Sequence, residues 1–349
     1  MGIDASRPLD GLRVLDLTRL LPGPYCTWQL AEMGADVLKI EDPKLGDYTR
    51  SLNPQMFRLL NANKRGDVLD FKQAADRERF LTELVPQAEV VVEGFRPGVL
   101  DKLGVGYAAI REANPAIVYC AITGYGQDGP YRDHAGHDLN YCGYSGLLEQ
   151  TGHPDREPAP ISFQIADLAG GAQSASIGIL AAVLAARATG QGRFVDISMT
   201  DCTAALQVVQ MASLLARGED PPRGRDMLSG GLPNYRVYAC ADGRFLALGA
   251  LEHKFWLRFC QAVGREDLAR APLAPGAKSE AIMQEVAALL ATRDRDAWMD
   301  LLGPADCCAS PVLTPAEALE NPHLRERGVF VGSGAEATIA LPIRFSETA

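Results

Sequence analysis

LRVLDLTRLLPGPYCTWQLAEMGADVLKIE, residues 12–41, decides how the rest of the chain is read. It opens on a β-rich run from Leu12 to Leu17 and takes on helical character from Pro24 to Met33. It breaks at Gly34 and closes on a second β-rich run from Asp36 to Glu41. Strand, helix, strand is a βαβ unit, whose strands lie parallel in one sheet with a right-handed crossover. The alternation continues downstream. DVLDF (67–71) predicts a third strand, and Lys72 to Gln87 a helix whose apolar face holds Phe80, Leu81 and Leu84. EVVVEG (89–94) predicts a fourth strand, with short helices around 97–103 and 106–113 before a fifth, AIVYCAI (116–122). The fold class is therefore α/β with a mostly parallel sheet. Ligands of such sheets sit beyond the carboxyl ends of the strands, which makes 18–24, 42–66, 94–98 and 123–141 the ligand-side loops.

The second half changes character. Residues 142–166 are irregular, 168–188 form an apolar helix, and RFVDISMTDCTAAL leads from a strand into a helix through about residue 216. RGEDPPRGRDMLSGGLPNY (217–235) packs Pro and Gly together and reads as a linker. Residues 236–305 then start with a hairpin, VYAC-ADG-RFLALGA, and continue helically, as a smaller α+β domain would.

Composition limits the function. The 349 residues carry 44 acidic and 34 basic side chains, a formal net charge of −10. Nucleic acid is excluded as a partner on that balance, because its recognition needs a basic face. An apolar content of 47% excludes a largely disordered chain. Eight cysteines without a CxxC pair read as thiols of a reducing compartment, and the N-terminal stretch lacks the apolar core of a signal peptide, so a cytoplasmic location is expected. Leu168 to Ala186 is uncharged and near spanning length, but Gln173 and its many alanines predict a buried helix and no membrane association.

Gly124, Gly126 and Gly129 spell G-x-G-x-x-G after the fifth strand. Pro130 and the absence of a following helix and acidic strand end argue for a plain loop over a dinucleotide fingerprint. RDHAGHDLNY (132–141) brings His134, His137, Asp133 and Asp138 to a ligand-side loop. Its H-x-x-H spacing lacks the i, i+4 geometry of a helical zinc site, so no metal is expected, whereas a histidine here suits acid/base work. Asp167, in QIADLAGGA at the mouth of the apolar helix, reads either as an N-cap or as a carboxyl acid/base beside helix N–H donors. Glu252 of LGALEHKF reads by default as an exposed turn residue. Lys64 and Arg65 of NANKRG, Arg96 of EGFRPG and nearby Arg50 are each ordinary surface charges, but together could hold a phosphorylated ligand.

Taken in order, PLDGLRVLDLTRLLPGPYC, GADVLKIEDP, NKR, VVEGFRPGV, ITGYGQDGPY, AGHDLNY, ADLAGG, PRGRDMLSGG, YACADGRFLALGALE and DCCASPVLTPAEAL resemble the class III CoA-transferase family, also called CaiB/BaiF, over essentially the whole chain. AGHDLNY and GALE resemble its α-methylacyl-CoA racemase branch. Asp42 and Gly66 stand where that branch often carries Arg and Ser. The resemblance implies a Rossmann-like large domain (1–216, completed by about 320–349). A small domain (236–305) is joined to it through 217–235 and a returning linker at 306–319, and two chains interlock as a homodimer. It implies His137 and Asp167 on opposite faces of the substrate α-carbon, with Glu252 orienting His137. CoA, part of the substrate and no separate cofactor, would be held by Lys64, Arg65, Arg96 and the Gly136, Asp138, Asn140 and Tyr141 loop. The activity implied is racemisation of 2-methylacyl-CoA thioesters through an enolate. CoA transfer between carboxylic acids through an Asp167 intermediate is the same-fold alternative, and non-catalytic acyl-CoA binding a third.

Overall fold

Six parallel strands in the order β3-β2-β1-β4-β5-β6 organise the first of two compact units. They are β1 Arg13–Asp16, β2 Asp36–Glu41, β3 Arg65–Val68, β4 Val90–Glu93, β5 Val118–Thr123 and β6 Phe194–Ser198. The structure is a computed structural model that describes residues 7–270 and 273–346. β4 and β5 are buried along their whole length, as strands covered by helices on both faces must be. Val14, Val37, Val90, Val92, Val118 and Cys120 fill the sheet interior. The strand order reverses between β1 and β4, the crevice position at which doubly wound sheets bind ligands.

Local sequence explains most elements and misplaces some. The first helix runs Pro22–Glu32, with proline at its start where no N–H is needed. The third strand is not 67–71 but Arg65–Val68, an exposed edge paired in register Arg65 to Leu38 and Val68 to Glu41. Leu69 and Phe71, which gave the apolar signal, turn off the strand into the core cluster around Phe80. The helix expected over 72–87 is three pieces: α over Ala74–Arg79, a π turn over Phe80–Leu84 and a 3-10 turn over Val85–Gln87. Pro86 lacks the N–H that would continue the ladder. The apolar helix spans Ala166–Thr189, 24 residues whose most apolar 18-residue stretch has a mean hydropathy of 1.6, long and apolar enough to cross a membrane. It packs on β5, β6 and the first helix, and buries Ala175, Ile179, Ala182 and Val183.

The second unit comprises Leu148–Pro160 and Val208–Asn321. Its antiparallel sheet joins the expected hairpin, β7 Tyr235–Ala239 and β8 Phe245–Gly249, to β9 Ala309–Pro311. Helices His253–Ala262, Ala277–Leu290 and Arg295–Leu302 cover it, with Trp256, Phe259, Leu246, Leu290 and Trp298 at the core. The boundaries drawn from sequence therefore move. The stretch 306–319 is not a bare linker, because it contributes β9, and 208–216 and 217–235 belong to this unit. Residues 322–346 group with the first unit.

Candidate active site

Three loops at the carboxyl ends of β1, β4 and β5 enclose a cleft of about 590 Å³. Each loop is held from below. Asp16, fully buried at the end of β1, accepts hydrogen bonds from the Thr18 N–H (2.9 Å) and Thr27 Oγ1 (2.6 Å) and an ion pair from Lys64 Nζ at 3.1 Å. Lys39 Nζ donates to the Thr18 carbonyl at 2.9 Å and pairs with Asp47 at 3.0 Å. Asp47 in turn accepts the N–H of Leu20, a residue held at φ 66° on the cleft wall. The turn is so tight that a Cβ on Gly23 would lie 2.2 Å from Thr18.

After β5, the Tyr141 ring lies under the loop where a Cβ on Gly124 or Gly136 would come within 2.5 or 2.6 Å, and its hydroxyl donates to the Gly136 carbonyl. Gly126 and Gly129 take φ of +83° and +81°, and the next helix begins at Asp138, so the G-x-G-x-x-G run is a loop and no helix start. His137 caps the helix Asp138–Tyr144, its N–H donating to Asn140 Oδ1 at 3.0 Å. Asp138 Oδ1 accepts the Asp167 N–H at 3.0 Å and ties that helix to the first turn of Ala166–Thr189. This link brings His137 and Asp167 into one cleft. Burial pushes the Asp167 carboxyl up to about 7, and the Asp138 charge adds to the push.

Asp167 is not the N-cap. It is the second residue of a π-helical opening, Ala166–Gln173, which follows an already helical Ile165. The N–H groups expected to face a ligand are taken: Asp167's by Asp138, Leu168's by the Gln164 carbonyl. Gly170 and Gly171 of the same turn serve close packing, since Cβ atoms there would stand 2.5 Å from Thr203 Oγ1 and 3.0 Å from Met199.

The expected basic cluster is not one cluster. The Lys64 side chain is 1% exposed, and its Nζ is spent on Asp16, the Pro24 carbonyl, Thr27 and Asn61. Arg65 reaches the amino end of β2 and grips Asp36 with two hydrogen bonds of 2.8 Å. Arg50 pairs with Glu41. Asp138 and Asn140 are engaged within the chain, Asp138 also taking the Cys142 thiol. Arg96 does line the cleft, with Gly136, His137 and Tyr141. Sequence reading missed Arg19, whose guanidinium lies 4.6 Å from the Phe95 ring centre and donates to the Tyr48 hydroxyl. Its place just past the end of β1 was the available signal. A second cavity of about 430 Å³ shares Leu17, Arg19 and Phe95 with the first and adds Lys72 and Lys102. Among the described residues, Arg19, Arg96, Lys72 and Lys102 form no ion pair within 4 Å. Asp42 borders this cavity as a turn residue, capping the Lys44 and Leu45 N–H groups, and Gly66 sits in the edge strand. Glu252 belongs to the second unit, exposed, as the residue before helix His253–Ala262.

The family model for CoA-transferase family III matches residues 9–349. The human alpha-methylacyl-CoA racemase is 34% identical over 93% of this chain and 83% of its own length. The succinyl-CoA:mesaconate CoA-transferase of Haloarcula hispanica is 36% identical over 97% of this chain and 90% of its own. A crystal structure of a CaiB/BaiF family protein from Brucella suis superposes with a TM-score of 0.86 at 31% identity, covering 98% of this chain and 93% of that one. Matched from Leu9 to its end and superposing on a family structure along nearly its full length, the chain belongs to CoA-transferase family III.

Proposed function

We propose that the protein racemises 2-methylacyl-CoA thioesters by moving the α-proton between Asp167 and His137. The observation that carries this reading is Asp167 itself: a carboxyl raised to about 7 in the same cleft as an imidazole. A group poised near neutrality suits both taking and returning a proton. One of the pair removes the α-proton, the electron pair moves into the thioester carbonyl as an enolate, and the other delivers its own proton to the opposite face. Roles exchange with the direction of reaction. The resemblance adds Glu252 as the residue orienting His137 and a homodimer as the working species. CoA enters on the substrate, its anionic end taken by Arg19, Arg96, Lys72 and Lys102, and no further cofactor takes part.

The transferase reading is favoured by relatives of the kind found in Haloarcula hispanica. In it the Asp167 carboxylate attacks the thioester carbonyl and the CoA thiolate leaves, which produces a mixed anhydride; a raised carboxyl pKa serves that step poorly, because the nucleophile must be ionised. Incubation with a (2R)-2-methylacyl-CoA in D₂O tests the choice. Incorporation of α-deuterium with loss of optical purity is expected. Absence of exchange with every branched acyl-CoA, together with a covalent mass shift on Asp167 in the presence of an acceptor acid, would replace the racemase by the transferase.

A further inference from the structure

Glu93 ends β4, the strand beside the reversal of strand order, and is 5% exposed. Its Oε2 accepts the Phe95 N–H at 2.6 Å, folding the chain into the turn Gly94–Gly98 directly under the cleft. Two ligand-facing cations depend on that turn. The Phe95 ring borders both cavities and carries the Arg19 guanidinium, and Arg96 follows it into the cleft wall. We propose that Glu93 is a positioning residue for the anion-facing wall, acting on a CoA-bearing ligand through Phe95, Arg19 and Arg96; the proposal rests on the acyl-CoA reading above.

An acid in this place has a reason. The titratable and charged groups that interact with Glu93 are the Tyr119 hydroxyl and the buried Cys120 thiol of β5, Asp101 of the short helix Val99–Lys102 and Asp196 of β6. Burial dominates, both aspartates reinforce it, and the carboxyl is pushed up to about 8. At neutral pH the side chain anchors Phe95 while placing no charge beneath a site for a polyanion. Above that range it becomes an anion below the bound phosphates, and binding weakens.

Calorimetric titration of CoA into the full-length protein and its Glu93→Ala and Glu93→Gln variants tests this. Glu93→Ala is expected to weaken CoA binding about tenfold, the scale of one well-placed hydrogen bond, and Glu93→Gln, which keeps the acceptor, to stay within about twofold. The ratio of wild-type to Glu93→Gln affinity should fall as pH rises from 7 to 9; comparing the two cancels the titration of CoA itself. A purely structural role would lower the melting temperature of Glu93→Ala without changing the affinity of the folded protein, and that result overturns the proposal. Should Glu93→Ala fail to fold, a pH-independent wild-type to Glu93→Gln ratio overturns it equally. Equal CoA affinity in all three proteins removes the role of Glu93 alone, whereas no CoA binding by the wild type removes the acyl-CoA reading and this proposal with it.

Discussion

Lys64 and Arg65 are neighbours in sequence with opposite fates, and only one of them matters to stability. Lys64→Met leaves Asp16 buried, charged and without its cation, a loss of about 3–5 kcal/mol that urea denaturation would detect. Arg65→Ala breaks an exposed pair and should stay within about 1 kcal/mol. Burial also pulls the Lys64 ammonium down to about 8, so the pair with Asp16 weakens above that pH. At Asp167 the consequence is chemical. Asp167→Asn should lower α-deuterium exchange by about 10²-fold or more, and the wild-type pH profile should show an apparent pKa near 7 that the variant lacks. The same shift has a cost in stability. The folded carboxyl keeps its proton up to about 7 while the unfolded one releases it near 3.8, so the wild type loses stability as pH rises through that window. Asp167→Asn should not show this loss, and parallel melting curves for the two proteins between pH 4 and pH 7 would refute the buried environment described for Asp167.

Secondary elements were legible where local pattern and tertiary demand agree. β2 falls on Asp36–Glu41 as read, and the Asp-Gly hairpin joins β7 and β8. The reading slipped at β3, where apolar residues serve the core from outside the strand, and at 72–87, where proline and a π turn interrupt an apolar spacing that looks continuous. The π opening of Ala166–Thr189 has no sequence period at all; its glycines mark it only through what they touch. Gly170→Ala forces a methyl against Thr203 and should cost about 1–3 kcal/mol in thermal or chemical denaturation. Gly143, inside Asp138–Tyr144 with nothing near its missing Cβ, gives the contrast: Gly143→Ala should stabilise by about 0.5–1 kcal/mol.

At the scale of the molecule, each unit leaves apolar side chains exposed at helical spacing. Ile177 and Leu184 on Ala166–Thr189 are each 71% exposed in the first unit, and Val208 and Leu215 on Val208–Arg217 are 70% and 76% exposed in the second. Such faces call for a partner wherever they would otherwise meet water, and the homodimer proposed above supplies one. Light scattering should give twice the 37.5 kDa chain mass, and Ile177→Glu with Leu184→Glu should reduce it toward one chain while circular dichroism stays unchanged. The amino-acid sequence alone determined the parallel α/β architecture and the antiparallel hairpin of the second unit, because hydrophobic period and turn residues are properties of neighbours along the chain; that His137 and Asp167 line one cleft is a fact of the fold. Which cations face the cleft was decided by tertiary structure. A formal charge is the same in every fold, whereas burial turned Lys64 inward to Asp16, the sheet's direction aimed Arg65 at its far end, and the reversal between β1 and β4 brought Arg19 and Arg96 to the cleft.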